Sequence, residues 1–185
     1  MCWYCKKLTT ISFDKTVINW NVTNTSRMFS DCENLGYGST KYDTGIKGLF
    51  SDYHLCNVTD MSYMFYNCKE LRYLDNETNQ IGITYINQRE YDKVNQKYTY
   101  TYNYNVTNMG GIFRGCSNLE WDSVDSAVRC QFSVISFLNC GFPLLESLMY
   151  GFAESNIGND GIYRLNNNIF TKANCSKLTD ISYCF

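Results

Sequence analysis

The sequence predicts a β-rich solenoid, an irregular stack of repeats built from short strands and one-turn helices. Three observations predict it. A fifteen-residue string occurs three times, as NVTNTSRMFSDCENL at 21–35, NVTDMSYMFYNCKEL at 57–71 and NVTNMGGIFRGCSNL at 105–119. Inside it an apolar skeleton stays constant while the positions between drift, the pattern of a unit that stacks on copies of itself. The composition agrees: 16 Tyr, abundant Asn, Thr and Ser, and the single proline Pro143 suit strands and hydrogen-bonded turns better than long helices.

Aligned on their cysteines, the copies read N-V-T-x-x-x-x-[MI]-F-x-x-C-x-x-L. The anchors are Val22, Met28, Phe29, Cys32 and Leu35, then Val58, Met64, Phe65, Cys68 and Leu71, then Val106, Ile112, Phe113, Cys116 and Leu119. The C-x-x-L tail recurs at Cys5-Lys-Lys-Leu8-Thr-Thr-Ile11, at Cys68-Lys-Glu-Leu71-Arg-Tyr-Leu74 and at Cys175-Ser-Lys-Leu178-Thr-Asp-Ile181. Looser copies are Phe137-Leu-Asn-Cys140, followed by Leu145 and Leu148, and Leu148-Met-Tyr-Gly-Phe152, where Ser155 replaces the cysteine. Successive cysteines Cys5, Cys32, Cys68, Cys116, Cys140 and Cys175 lie 27, 36, 48, 24 and 35 residues apart. The extra residues fall after the Leu, where a stack tolerates loops.

Each anchor has a physical purpose. Leu71 to Leu74 reads as a short strand beside its equivalent in the next coil, about 4.8 Å away. V-T-D-M reads as a second extended piece on the opposite wall. M-F-x-x-C reads as one turn of helix that carries Phe and Cys into the core. A buried Phe or Leu contributes roughly 1.5–3 kcal/mol.

The expected organisation is one repeat array over 1–185. Clear repeats cover 1–75, 105–122 and 169–185, a hairpin is inserted at 76–104, and divergent repeats fill 123–168. Met1 falls inside one repeat, and Leu178 to Phe185 matches Val58 to Phe65, so the chain reads as a segment of a longer array. Val128 to Leu138 is apolar enough to keep the repeat geometry or to form a cap.

Most of the ten cysteines share one repeat position, so they read as small buried hydrophobes. Disulfides between coils are the alternative, although a ladder of identical positions offers no pairing rule. Cys2-Trp-Tyr-Cys5 is a C-x-x-C, but no second such pair exists and the only histidine is His54, so a thiol or zinc role is the lesser reading. Sequons begin at Asn21, Asn24, Asn57, Asn76, Asn105 and Asn174. Three of them are the repeat's own NVT, and Asn76 is the best glycan candidate in a glycosylating host.

The insertion holds YTYTYNYN at 98–105. Alternation of Tyr with small polar residues is a strand pattern, and Tyr85 to Tyr91 is the expected partner. Tyr98, Tyr100, Tyr102 and Tyr104 form the candidate binding surface, since Tyr gives large contact area at low entropic cost. An edge strand or loop cover is the plainer reading.

Net charge is −2 with a pI of about 5.4, and no basic stripe supports nucleic-acid binding. No apolar run reaches the length of a membrane span, and MCWYCKKLTT lacks a signal-peptide core. Nothing nominates a catalytic pair: Gly36-Tyr-Gly38 and Gly110-Gly111 lack the surroundings of a phosphate loop, and no Ser-His-Asp set is available. The expectation is no enzyme and no cofactor.

The pattern resembles the BspA-like leucine-rich repeat family, in the branch found in surface lipoproteins of mycoplasmas, other bacteria and some protists. That family's motif runs V-T-x-M-x-x-M-F-x-x-C-x-x-L-x-x-L-D, and Val58 to Asp75 matches every anchor. The resemblance covers most of 1–122 and 169–185 and is weak across 123–168. It implies an irregular leucine-rich repeat stack and a cell-surface or extracellular role in adhesion or protein binding. The implied partner is a host or matrix protein, or a glycan. A structural spacer array without a ligand is the alternative.

Overall fold

The computed structural model describes residues 2–13, 21–39, 45–49, 55, 57–73, 88–92, 97–101, 105–119, 142, 144–156 and 177–185. Its strands are short. β1 (Ile11–Ser12) pairs in parallel with β2 (Ile46–Lys47), with Ile11 opposite Ile46. β3 (Gln88–Asp92) and β4 (Lys97–Thr101) form an antiparallel hairpin. Most of the remaining order lies in turns, stacked in six layers. These are layer 1 (2–13), layer 2 (21–39 with 45–49), layer 3 (57–73), layer 4 (105–119), layer 5 (144–156) and layer 6 (177–185). A row of parallel bridges joins layers 2 to 6 through Asn24, Asp60, Asn108, Ser147 and Asp180.

The backbone hydrogen bonds of layer 3 explain the stack. The N–H groups of Met61, Tyr63, Phe65 and Asn67 donate to Asn108, Gly110, Ile112 and Arg114 of layer 4, at 2.7–3.0 Å. The alternate N–H groups of Met64, Tyr66 and Cys68 donate three residues back, to Met61, Tyr63 and Phe65. Ser62 N–H, the remaining one of this run, donates to the Asp60 carboxylate at 2.8 Å. Every buried amide needs a partner, and here alternate amides close local turns or reach the next layer. Layers 2, 4 and 5 repeat the arrangement with Thr25, Met109 and Leu148 in the place of Met61.

This alternation demands a particular backbone. The turns 25–28, 29–32, 61–64, 65–68, 109–112, 113–116, 148–151 and 152–155 each carry positive φ at the third residue, namely Arg27, Asp31, Tyr63, Asn67, Gly111, Gly115, Tyr150 and Glu154. That conformation at the third residue defines a type II turn. The expected one-turn helices are therefore corrected. No helix occurs among the described residues, because a left-handed residue twice per layer breaks any helical run.

Short side chains brace the entry to each turn. Asn24, Asp60, Asn108 and Asp180 accept from the N–H two residues on at 2.8–2.9 Å, an Asx turn repeated in four layers. Thr59 and Thr107 donate their hydroxyls to the carbonyls of Thr23 and Thr59 in the preceding layer, at 3.1 and 3.2 Å.

The core is a column of phenylalanines. Phe29, Phe65, Phe113 and Phe152 are buried and stack in sequence, and the half-exposed Phe185 ends the column, with centroids 5.6–5.8 Å apart and planes within 17°. Phe13 meets Phe29 edge-on at 6.2 Å. Leu35, Val58, Leu71, Val106 and Leu119 are buried at 0–1% exposure, and Ile46, Leu49, Leu55 and Phe142 join them. Val22 departs from its expected role and is 36% exposed. Leu178 is half-buried against the core. Residues 71–73 form no strand, and the anchors Leu74 and Cys175 lie outside the described residues, as do Cys140 and the segments 76–87 and 157–176.

The loop after Leu35 shows how length varies without loss of register. Gly36 N–H donates to Thr9 and Ile11 N–H to Gly45, both at 2.8 Å, so Gly36 and Gly45 both sit against layer 1. The two glycines touch, and a Cβ on Gly45 would run into the Gly36 backbone.

Removing one ring from the middle of the column should be costly. Phe113→Ala is expected to lower stability by ~3–5 kcal/mol, whereas Tyr183→Ala, on the surface, should cost less than about 1 kcal/mol. Urea unfolding of both variants checks the contrast.

Candidate binding face

The outer side of the turns carries a row of Tyr and Arg side chains. There the left-handed positions and their neighbours line up as Arg27, Tyr63, Tyr66, Arg114, Tyr150 and Tyr183. The Arg27 guanidinium lies 4.8 Å over the Tyr63 ring. Tyr63 meets Tyr66 edge-on at 5.8 Å. Arg114 reaches both Tyr66, at 6.0 Å, and Tyr150, at 5.0 Å. Tyr150 stacks on Tyr183 at 4.9 Å with planes 9° apart. Gly111 is what lets the row cross layer 4, because a Cβ there would collide with the Tyr63 ring.

The charges along the row are held in place. Arg114 donates from Nη2 and Nε to Glu154 Oε1 at 2.7 and 3.2 Å, and that carboxylate raises the guanidinium's affinity for its proton further. In a separate cluster, Glu33 sits between Lys6, at 2.6 Å, and Lys69, at 3.1 Å. Hydrogen bonds from Lys6 first and Lys69 second hold its carboxyl below the usual range. Lys6 also lies 4.8 Å over Tyr4, and Trp3 and Tyr4 are each 59% exposed.

Two of the tyrosines singled out from sequence, Tyr98 and Tyr100, lie on β4. Register puts Tyr98 opposite Tyr91 and Tyr100 opposite Arg89 in the hairpin. Tyr102 and Tyr104 lie outside the described residues. The exterior row is nevertheless visible in the alignment as a tyrosine two residues before three of the five column phenylalanines, in Ser62-Tyr63-Met64-Phe65, Met149-Tyr150-Gly151-Phe152 and Ser182-Tyr183-Cys184-Phe185.

The repeated cysteines face the other way. Cys32, Cys68 and Cys116 are fully buried free thiols. Each donates to the carbonyl at the Phe position of the layer before it: Cys2 at 2.8 Å, Phe29 at 3.1 Å and Phe65 at 3.0 Å. Burial pushes the Cys32 and Cys184 thiols from 9.0 up to about 11, and Cys68 and Cys116 are pushed up by the same cause. Among the described residues no three His, Cys, Asp or Glu side chains gather as a metal would require. No helix among them is long and apolar enough to cross a membrane.

These raised thiol values have a signed consequence. Above pH 9 the unfolded chain gives up thiol protons that the folded chain keeps, so the unfolded state gains. Stability is expected to be complete below about pH 9 and to fall as pH rises through 11. Urea midpoints across that range should decline, and less steeply in Cys116→Ala.

Comparison with known proteins places the chain. No curated protein matches it, and no solved structure does. The family model described as Mycoplasma protein of unknown function, DUF285, matches twice, at residues 8–88 and 48–128. The overlap, 48–88, is matched in both registers, as expected where one unit is repeated. Together the matches span 8–128 of the 185 residues, so this chain belongs to the DUF285 family.

Proposed function

We propose that the chain is a non-enzymatic binding module of a cell-surface or secreted repeat protein, a solenoid of the BspA-like leucine-rich repeat kind. Its partner is a host or matrix protein, or a glycan. The supporting observation is the exterior row from Arg27 to Tyr183. Tyr and Arg are the residues that dominate binding energies at protein interfaces, and rings already stacked lose little freedom on binding. The row rides on positions the core leaves free, so its residues can change without disturbing the Phe column. The repeat pattern and the mycoplasma family match are in keeping with a surface protein of this type.

A second reading has its own observation. Several ring faces in the row are already taken by Arg27, Arg114 and Tyr183. A row used wholly for internal bracing belongs to a spacer array without a specific ligand.

Binding to an array of matrix proteins and glycans separates the two. The module should retain at least one ligand, and Tyr63→Ser with Tyr150→Ser should weaken it by about tenfold or more while circular dichroism stays unchanged. Absence of any ligand, or affinity indifferent to both substitutions, would favour the spacer.

A further inference from the structure

Layer 1 breaks the repeat at one position. In layers 2 to 4 the second turn runs from Phe29 to Cys32, Phe65 to Cys68 and Phe113 to Cys116, and both ends of each turn enter the core at 0% exposure. Layer 1 makes the same turn, with Cys5 N–H donating to the Cys2 carbonyl at 3.3 Å and Tyr4 at φ 60°. It stays in register through Cys2 N–H to Met28 at 3.0 Å and Tyr4 N–H to Ser30 at 2.8 Å. Cys2 therefore stands where the other layers carry Phe, and Phe13 supplies a ring against Phe29 instead.

We propose that Cys2 and Cys5 are a reversible dithiol–disulfide site. The first and fourth Cα atoms of a β-turn lie within about 7 Å, and a disulfide spans about 4.4–6.8 Å. Equivalent backbones direct the two Cβ atoms as they direct those of Phe29 and Cys32, to one side of the turn. Access differs from that of the other described thiols. Cys5 is exposed and Cys2 half-buried, whereas Cys32, Cys68, Cys116 and Cys184 are buried. Cys32, the nearest competitor, has its thiol bound to the Cys2 carbonyl.

The reaction partner is a low-molecular-weight disulfide. The Cys5 thiolate attacks one of its sulfurs, forming a mixed disulfide and releasing one thiol. The Cys2 thiolate then attacks the Cys5 sulfur, and the second thiol leaves. The protein gives up two electrons and two protons, and the reagent becomes two thiols. Reduction runs the same steps backwards.

The test treats the full chain with oxidised glutathione, then alkylates it and cleaves with trypsin. Cleavage after Lys6 keeps both cysteines on one peptide. The expected peptide has lost two hydrogens and carries no alkyl group, and dithiothreitol restores two labels. In Cys2→Ser the reaction should halt with glutathione on Cys5, circular dichroism confirming that the variant is folded. Three results in the wild-type chain would overturn the proposal: both cysteines still labelled, glutathione left on Cys5, or a bond from either to Cys32.

Discussion

The structure depends on how alternate backbone amides divide their partners. In each of layers 2 to 5, one set closes turns within the layer and the other set reaches the layer beyond. Only a chain with a left-handed residue at the third place of successive turns can do both. At Arg27, Tyr63, Tyr150 and Glu154 that conformation carries a side chain that prefers otherwise, at roughly 1–2 kcal/mol each. An isolated repeat would have no reason to accept this cost. The inter-layer bonds and the Phe column offset it, so the turns and the stack form together or not at all.

The same division separates inside from outside. In layers 3 and 4 the residues at the Val, Phe, Cys and Leu positions turn inward, and the thiol takes a second bond to a carbonyl that already closes a turn. The buried cysteine is thus a donor as well as a filler. Between them Met61, Met64, Met109 and Ile112 also turn inward, while other positions in the turns carry the row of Tyr and Arg. Layer 2 takes up extra length after Leu35, with Gly36 and Gly45 both held against layer 1.

Much of this was legible in the sequence. The skeleton Val, Phe, Cys and Leu named residues that are all buried in layers 3 and 4, because each layer must show its neighbours the same inner surface; Met61 and Met109 join them in the core. The helical reading of M-F-x-x-C failed for a specific reason. A spacing of three between Phe29 and Cys32 brings two side chains to one side in a helix and in a type II turn alike. Glycine would have marked the difference, but only layer 4 has it, at Gly111 and Gly115; elsewhere Tyr, Arg, Asp, Asn and Glu hide the same backbone. Layer 5 looked eroded because Ser155 replaces the cysteine, yet Leu148 and Phe152 suffice to keep it in the column. The repetition of Tyr63, Tyr150 and Tyr183 at one repeat position was a second legible signal, beside the alternating tyrosines of β4.

Amide hydrogen exchange in layer 3, followed residue by residue by NMR, tests the central claim most directly. If alternate amides hold the layers together, Met61, Tyr63, Phe65 and Asn67 exchange slowly and at a common rate, since they open only when layer 3 parts from layer 4. Fast exchange at these four, with protection kept at Met64, Tyr66 and Cys68, would mean that the turns stand alone and the stack does not hold them.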